Sequence, residues 1–388
     1  MKVVIVGGKL QGVEAVYLAQ KAGWEVFLVD KNPEAPAVGM CSNFYEINIT
    51  KDTMDNLADI IHNKDLVVPA LEDIETVKII KNVADNKNVA VAFDIEVNTI
   101  SSSKIESDKL FADNNIPAPR YFPDCDLPVI AKPSELSGSY GVKKFIDKNT
   151  LKEFIKDAKS NDERWVVQEH IEGPSYSLEV MGYKGDYITL QITEIQVDAD
   201  YDCKRVLAPV IIEEQLKREI HEVSTGLAKI LQLTGIMDVE VIIDKDQLKV
   251  LEIDARLPSQ TPITVYKSTG INMLVQLADI YVYNKLPVIE NLSENKHVIL
   301  EHISITPRKM ETRGERIIAG VGPLQLIENF FGADEAITNY CPGNEAWVAT
   351  LIICADSKED AWDKRSVILR NIMEENKILS YNDSFPRF

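Results

Sequence analysis

Ile236-Met237-Asp238-Val239-Glu240-Val241-Ile242 and, one short turn later, Val250-Leu251-Glu252-Ile253-Asp254-Ala255-Arg256-Leu257-Pro258 decide how this chain is read. Each stretch alternates with period two, so each reads as a strand. Asp238 and Glu240 then share one face, and so do Glu252, Asp254 and Arg256. The turn Asp244-Lys245-Asp246-Gln247 reads as the hairpin connection. Pairing through it sets Glu240 against Glu252. Carboxylates facing each other on one sheet cost stability unless a cation sits between them. Oxygen-only ligands select Mg²⁺, with Mn²⁺ as the alternative. Arg256 points the same way and suits a phosphoryl group or a carboxylate. The plainer reading is a solvated strand face, since a chain with 61 acids forms chance clusters.

Upstream of the hairpin lie two lysines and a small-residue loop. Lys104 opens a helix that runs to Asn114 after Ser101-Ser102-Ser103. Lys132 ends the strand Val129 to Lys132 and precedes Pro133-Ser134-Glu135-Leu136-Ser137-Gly138-Ser139-Tyr140-Gly141. A lysine beside such a loop can neutralise phosphates while the loop closes over them. No Gly-Lys-Ser/Thr ends it, so it is not a Walker A loop. By itself it reads equally well as a surface loop with a solvated lysine. Val166-Val167-Gln168-Glu169-His170-Ile171 is a strand running into a turn. Its backbone and Glu169 have the groups to read an adenine or a ribose, although His170 alone reads more readily as a packed histidine.

The N-terminal part alternates strand and helix. Val3–Val6, Trp24–Val29, Leu66–Pro69 and Val89–Val91 read as buried strands, and 13–21 as a helix, which predicts a parallel sheet with helices on its faces. Gly7-Gly8-Lys9-Leu10-Gln11-Gly12 joins the first strand to its helix, where backbone N–H groups favour anions. The spacing departs from G-x-G-x-x-G at Lys9, so Asp30 and this loop make a weak dinucleotide signal and equally a tight turn with a capping acid. From about residue 185 the pattern changes to antiparallel strands around a helix over 213–233, with a final helix over 358–375. The fold class expected is α/β, becoming α+β in the C-terminal part. The expected divisions are 1–98, 99–182 and 183–388.

The 388 residues carry a formal net charge of −19. That balance argues against nucleic acid and against an anionic membrane surface. The longest apolar runs, such as 349–355, fall far short of the roughly twenty residues of a membrane span. Five separated cysteines without Cys-x-x-Cys suit reduced thiols in a cytoplasm.

In combination the two lysines, the glycine loop, the hinge, the Glu240 strand and Glu252-Ile253-Asp254-Ala255-Arg256 resemble the ATP-grasp superfamily. Asp254 stands where the superfamily usually has Asn. Gly8-Lys9-Leu10-Gln11-Gly12, Gly235 to Glu240, Glu252 to Pro262, Tyr201-Asp202-Cys203 and Ser268-Thr269-Gly270-Ile271-Asn272 are similar, within it, to the 3-methylornithine–L-lysine ligases of pyrrolysine biosynthesis. The resemblance implies an ATP-grasp fold with a Rossmann-like N-terminal domain. It also implies ATP and Mg²⁺ as cofactors, and 3-methyl-D-ornithine and L-lysine as substrates joined through an acyl phosphate. Lys104, Lys132 and Ser139 are then expected at the phosphates, and Gln168, Glu169, His170 and Ile171 at adenine and ribose. Glu240, Glu252 and Asp254 would hold the metal. Ser177, Leu178, Glu179, Asp238, Arg256, Ser259, Gln260 and Thr261 would line the methylornithine site, and Leu10, Gln11 and Glu72 would meet lysine. Arg256 and Lys132 carry the expected catalytic charge. A homodimer is the common closed assembly for such a chain. Rival readings are a ligase or carboxylase acting on a nucleotide precursor, a nicotinamide oxidoreductase, and a non-catalytic binding protein.

Overall fold

The computed structural model describes residues 1–245, 247–289 and 295–386. Its N-terminal sheet is parallel, in the order Phe44–Glu46, Glu25–Asp30, Lys2–Val6, Leu66–Pro69, Ala90–Val91. The central strand Lys2–Val6 is a continuous apolar run because helices cover both of its faces. The first helix, Leu10–Lys21, starts three residues earlier than hydrophobic periodicity suggests, because Leu10, Gln11 and Gly12 turn in before its apolar face begins.

The glycines of the first loop are there for packing. A Cβ on Gly7, whose φ is +106°, would lie 2.3 Å from the Ala70 carbonyl oxygen. One on Gly12 would lie 2.1 Å from the Gly7 carbonyl oxygen. Asp30 closes the same loop by accepting from the Gly8 N–H at 2.6 Å and the Asn32 N–H at 2.8 Å.

A three-stranded antiparallel sheet follows, with Val129–Pro133 between Lys143–Phe145 and Trp165–Glu169. The large sheet runs Gln247–Asp254, Gly235–Asp244, Ser175–Tyr183, Thr193–Val197, Cys203–Ala208, His297–Thr306, Trp347–Ala355, Glu335–Thr338, Gln325–Glu328. Helix Glu214–Leu231 buries Ile220, Leu227 and Ala228 against one end of it, as the expected helix over 213–233 should. The last helix, Lys358–Glu375, covers the other end and is capped by Ser357 Oγ, which accepts from the Asp360 N–H. The hairpin Gly235–Asp244 and Gln247–Asp254 forms as its alternation predicts, with Asp246 of its turn outside the described residues.

Two helices, Thr261–Thr269 and Met273–Tyr281, were not legible as such. They dock on helix Leu10–Lys21 and tie the N-terminal sheet to the large one. Buried Glu14 caps the first of them, accepting from the N–H groups of Gln260 at 3.0 Å and Ile263 at 2.8 Å.

Candidate active site

Antiparallel register places Glu240 opposite Glu252 and Asp238 opposite Asp254. On its other side the same strand sets Glu240 against Ser177 and Asp238 against Glu179. Ser177 Oγ donates to Asp238 Oδ1. Three adjacent strands thus pool their carboxyl groups on one face. Burial, then Asp238 and Glu252, push Glu240 up to about 8. Burial and Glu179 push Asp238 up to about 8. Burial raises Asp254 to about 7 despite Arg256, and raises Glu179 to about 7. Neither Glu179 oxygen has a hydrogen-bond partner, although the residue is wholly buried.

Cations of the chain border this face. Lys104 Nζ lies 3.0 Å from Glu252 Oε1 and donates to the Leu136 carbonyl at 2.7 Å. Burial alone would raise Glu252, but Lys104 and Lys132 hold it below the ordinary carboxylate range. Burial lowers the Lys132 ammonium, and Glu252, Asp108 and Glu240 draw it back up. Arg256 pairs with Asp254 at 2.5 Å and with Glu72 at 2.8 Å. Its planar fork is thereby held ready for a carboxylate or phosphate.

The loop over 134–141 folds across the site and touches every side of it. Ser137 Oγ donates to Glu72 Oε1 at 2.7 Å, Ser139 Oγ to the Tyr201 carbonyl at 2.6 Å, and Tyr140 lies under the Arg316 guanidinium. Gln11 Nε2 also donates to Glu72, at 3.4 Å. Beneath the loop is a cavity of about 960 Å³. Its walls include Leu10, Gln11 and Glu72 from the helix start and loop at the end of the N-terminal sheet, Ser137 to Tyr140 from the covering loop, Asp238, Glu240, Glu252 and Asp254 from the strand face, and Arg256, Ser259, Gln260 and Thr261 just beyond it. That volume suits two amino acids together with a phosphate tail.

The hinge residues lie off this cavity. Gln168 Nε2 donates to Asp108 at 2.7 Å. Glu169 is bound by Arg120 and Lys249, which hold it down at about 2 against its burial. Its own N–H donates to the Arg120 carbonyl, and the His170 N–H to Pro128. His170 Nε2 meets the Tyr201 hydroxyl at 3.3 Å, and Ile171 follows it. Leu178 points to the opposite side of its strand from Ser177 and Glu179 and packs in the core.

Glu240, Glu252 and Asp254 are an oxygen donor set suited to a hard divalent cation, and burial together with the neighbouring acids raises Glu240, a charge cost that a cation would relieve. Among the described residues no three His, Cys, Asp or Glu side chains already converge as a metal-holding group. Here Glu252 and Asp254 hold Lys104 and Arg256 instead. Asp108, Glu14 and Glu315 also belong to the neighbourhood, and the sequence reading passed over them. Burial raises Asp108 to about 6, Glu14 to about 8 and Glu315 to about 7. Glu14 alone left a trace, as a charge within the apolar run Val13 to Leu18. Glu315 gave none, because it reaches the site from a distant turn.

Comparison with known proteins gives a consistent picture. A family profile described as "PylC-like, N-terminal domain" matches residues 3–111, and "D-ala D-ala ligase C-terminus" matches residues 94–282. The chain is 35% identical to the 3-methyl-D-ornithine–L-lysine ligase of Methanosarcina barkeri over 94% of its own length and 95% of that protein. It is 36% identical to the ligase of that name from Methanosarcina mazei, over 78% of each. An ADP complex of N5-carboxyaminoimidazole ribonucleotide synthetase superposes with a TM-score of 0.71 at 14% identity, covering 96% of this chain and 97% of that one. The MgADP-bound biotin carboxylase domain dimer from Hydrogenobacter thermophilus superposes at 0.72 with 14% identity, covering 95% and 89%. These two likenesses establish the fold, which is ATP-grasp. No helix among the described residues is long and apolar enough to cross a membrane.

Proposed function

The chain belongs to the family of 3-methyl-D-ornithine–L-lysine ligases, and on that premise we propose that it joins the carboxyl group of (3R)-3-methyl-D-ornithine to the ε-amine of L-lysine in pyrrolysine biosynthesis, converting ATP to ADP and phosphate. The observation that carries this reading is the cavity itself. One wall is acidic and another comes from the N-terminal sheet, so two amine-bearing substrates can meet under one loop. A ligase for a phosphorylated nucleotide precursor would instead need a basic pocket.

In this reading the methylornithine carboxylate docks on Arg256, with Asp238 and Ser259 to Thr261 around its amines and Ser177 and Glu179 behind them, Ser177 holding Asp238. Its oxygen attacks the γ-phosphorus of ATP, ADP departs, and an acyl phosphate forms. Lys104 and Lys132 take the phosphate charge, with Ser139 in the covering loop and Gln168 to Ile171 along the adenine and ribose. Glu240, Glu252 and Asp254 would hold Mg²⁺ or Mn²⁺, which when bound neutralises phosphate charge. Lysine lies along Leu10, Gln11 and Glu72, and its ε-nitrogen attacks the acyl carbon with loss of phosphate. The loop over 134–141 keeps water from the acyl phosphate. The divisions 1–98, 99–182 and 183–388 supply lysine, nucleotide and metal sites respectively. A cytoplasmic homodimer is the assembly that fits such a metabolic enzyme.

ADP release tests the reading. Purified protein with Mg²⁺, D-ornithine as the simpler analogue and L-lysine is expected to release ADP well above background, and no ADP above background would refute the reading. Glu252→Gln is expected to abolish that release while the variant unfolds with the same cooperativity as the parent. Near-parental turnover in the variant would remove Glu252 from the metal site.

A further inference from the structure

We propose that Glu315 and Asp202 together form the seat for the side-chain ammonium of the attacking lysine. The proposal rests on the ligase reading above and adds to it the residues that receive the nucleophile.

Both acids line the cavity, and they are only 6% and 3% exposed. Each has one oxygen with no hydrogen-bond partner, Glu315 Oε2 and Asp202 Oδ1, buried just behind the cavity surface, and the Glu315 carboxylate is otherwise held by Gln260 and Ser259. Buried acceptors left without a donor are costly, at roughly 1–3 kcal/mol each, so their persistence in a cavity wall calls for a ligand that donates. The surroundings hold them in place. The Glu315 N–H donates to the Cys203 carbonyl at 2.8 Å, which locks the two stretches side by side. Arg316 fixes the other Asp202 oxygen, through its N–H at 3.1 Å and its Nε at 3.0 Å. Gly314 leaves room for that carboxylate, since a Cβ there would stand 2.0 Å from Asp202 Oδ2.

The donor that fits is an ammonium. Among the described residues no lysine or arginine of the chain forms a salt bridge with Glu315. No third acid joins the pair in metal-holding geometry. Position identifies which amine it is. Glu315 Oε1 lies 3.7 Å from where a Gly138 Cβ would be, directly under the loop that covers the reacting groups. Ser259, Gln260 and the charge of Arg256 are its neighbours on the other side. The seat is therefore beside the carboxylate being activated, where the ε-nitrogen must arrive. Two other acids are poorly placed for that task. Glu72 already accepts from Arg256, Ser137 and Gln11, and Glu179 lies behind the cavity wall. The D-alanine–D-alanine ligase profile also stops at residue 282. Glu315 thus comes from outside the segment shared with ligases of an amino acid that has no side-chain amine. From this seat one ammonium proton passes to Glu315 and the nitrogen attacks the acyl carbon. The C–N bond forms, the C–O bond to phosphate breaks, and the second nitrogen proton departs on the phosphate.

Hydroxylamine separates the two half-reactions. It is an uncharged nucleophile under assay conditions and needs no ammonium seat. Parent protein, Glu315→Gln and Asp202→Asn would each be given Mg²⁺, ATP and D-ornithine with either hydroxylamine or a series of L-lysine concentrations. Loss of a charge-assisted contact is expected to raise the KM for lysine by about tenfold or more. Hydroxamate formation should stay within about twofold of the parent, which also shows that the variant is folded. An unchanged lysine KM, or amide and hydroxamate falling together, would overturn the proposal. If Glu315→Gln does not fold, Asp202→Asn is read by the same two criteria. If the parent makes neither ADP nor hydroxamate, the ligase reading itself falls and takes this seat with it.

Discussion

Replacing Glu240 by Gln should stabilise the metal-free protein and at the same time disable it. Glu240 sits between Asp238 and Glu252 on the acidic face, and its carboxyl is raised from 4.5 to about 8. Such a group takes up a proton on folding at any pH between those values. The stability lost in this way is absent below about 4.5 and grows as pH rises towards 8. At roughly 1.4 kcal/mol per unit the ceiling at pH 7 is about 3 kcal/mol. The excess charge is shared with Asp238, which is raised likewise, so the expected gain in Glu240→Gln is about 1–2 kcal/mol at pH 7 and more at pH 8.5. Urea unfolding at pH 5, 7 and 8.5 with a chelator present measures it. ADP release should meanwhile fall by about a hundredfold or more, because the variant replaces an anionic carboxylate of the proposed metal site with a neutral amide. The reasoning is refuted if the stability gap between variant and parent fails to widen from pH 5 to pH 8.5.

Two further predictions concern the loop and the far end of the large sheet. Gly141 has φ +75° and a Cβ there would meet Pro133 Cγ at 2.9 Å, so Gly141→Ala should cost about 1–2 kcal/mol and raise the KM for ATP several-fold. Steady-state kinetics with ATP varied would show it, and parental values would mean the loop does not need its left-handed turn. Glu301, wholly buried, accepts from Arg205, Thr312 and both Nε and NH2 of Arg365. Glu301→Gln leaves two buried guanidinium groups short of a counter-charge and should lower unfolding free energy by about 3–5 kcal/mol, read by urea denaturation, while a loss below about 1 kcal/mol would show the triad to be uncoupled from folding.

The elements legible in the sequence were those whose signal is local. Period two marked Gly235–Asp244 and Gln247–Asp254, and the register Glu240 opposite Glu252 followed from the turn between them. The final helix was read over its full span because a serine cap and regular apolar spacing agree there. Helices Thr261–Thr269 and Met273–Tyr281 were missed for the opposite reason. The first contains three threonines and Val265, poor helix formers, and its N-terminus is capped from a different element by Glu14. The side chains around the cavity divide in the same way. Acids on paired strands advertise themselves by spacing, whereas Glu315 is near the site only because Gly314 admits Asp202 and Cys203 accepts its N–H. The hinge shows a further limit, since residue types suited to reading adenine are tied here to Arg120, Lys249 and Asp108.

The ligand-free site is already neutralised from within. Lys104 is paired with Glu252, and Arg256 with Asp254 and Glu72. A triphosphate that draws Lys104 and Lys132 towards itself strips counter-charge from Glu252 and Glu240. A substrate carboxylate on Arg256 does the same to Asp254 and Glu72. The acids so released are left buried and unpaired unless cations follow, and the cations on offer are a divalent metal and the substrate ammonium groups. On the proposed roles, anionic and cationic ligands would favour each other's binding, because each repairs the charge imbalance the other creates. Either kind alone meets a site that resists it. The loop adds to this coupling, because Lys104 holds it at Leu136 and Glu72 holds it at Ser137. The two groups that would exchange partners on binding are thus the ones that hold the loop across the site.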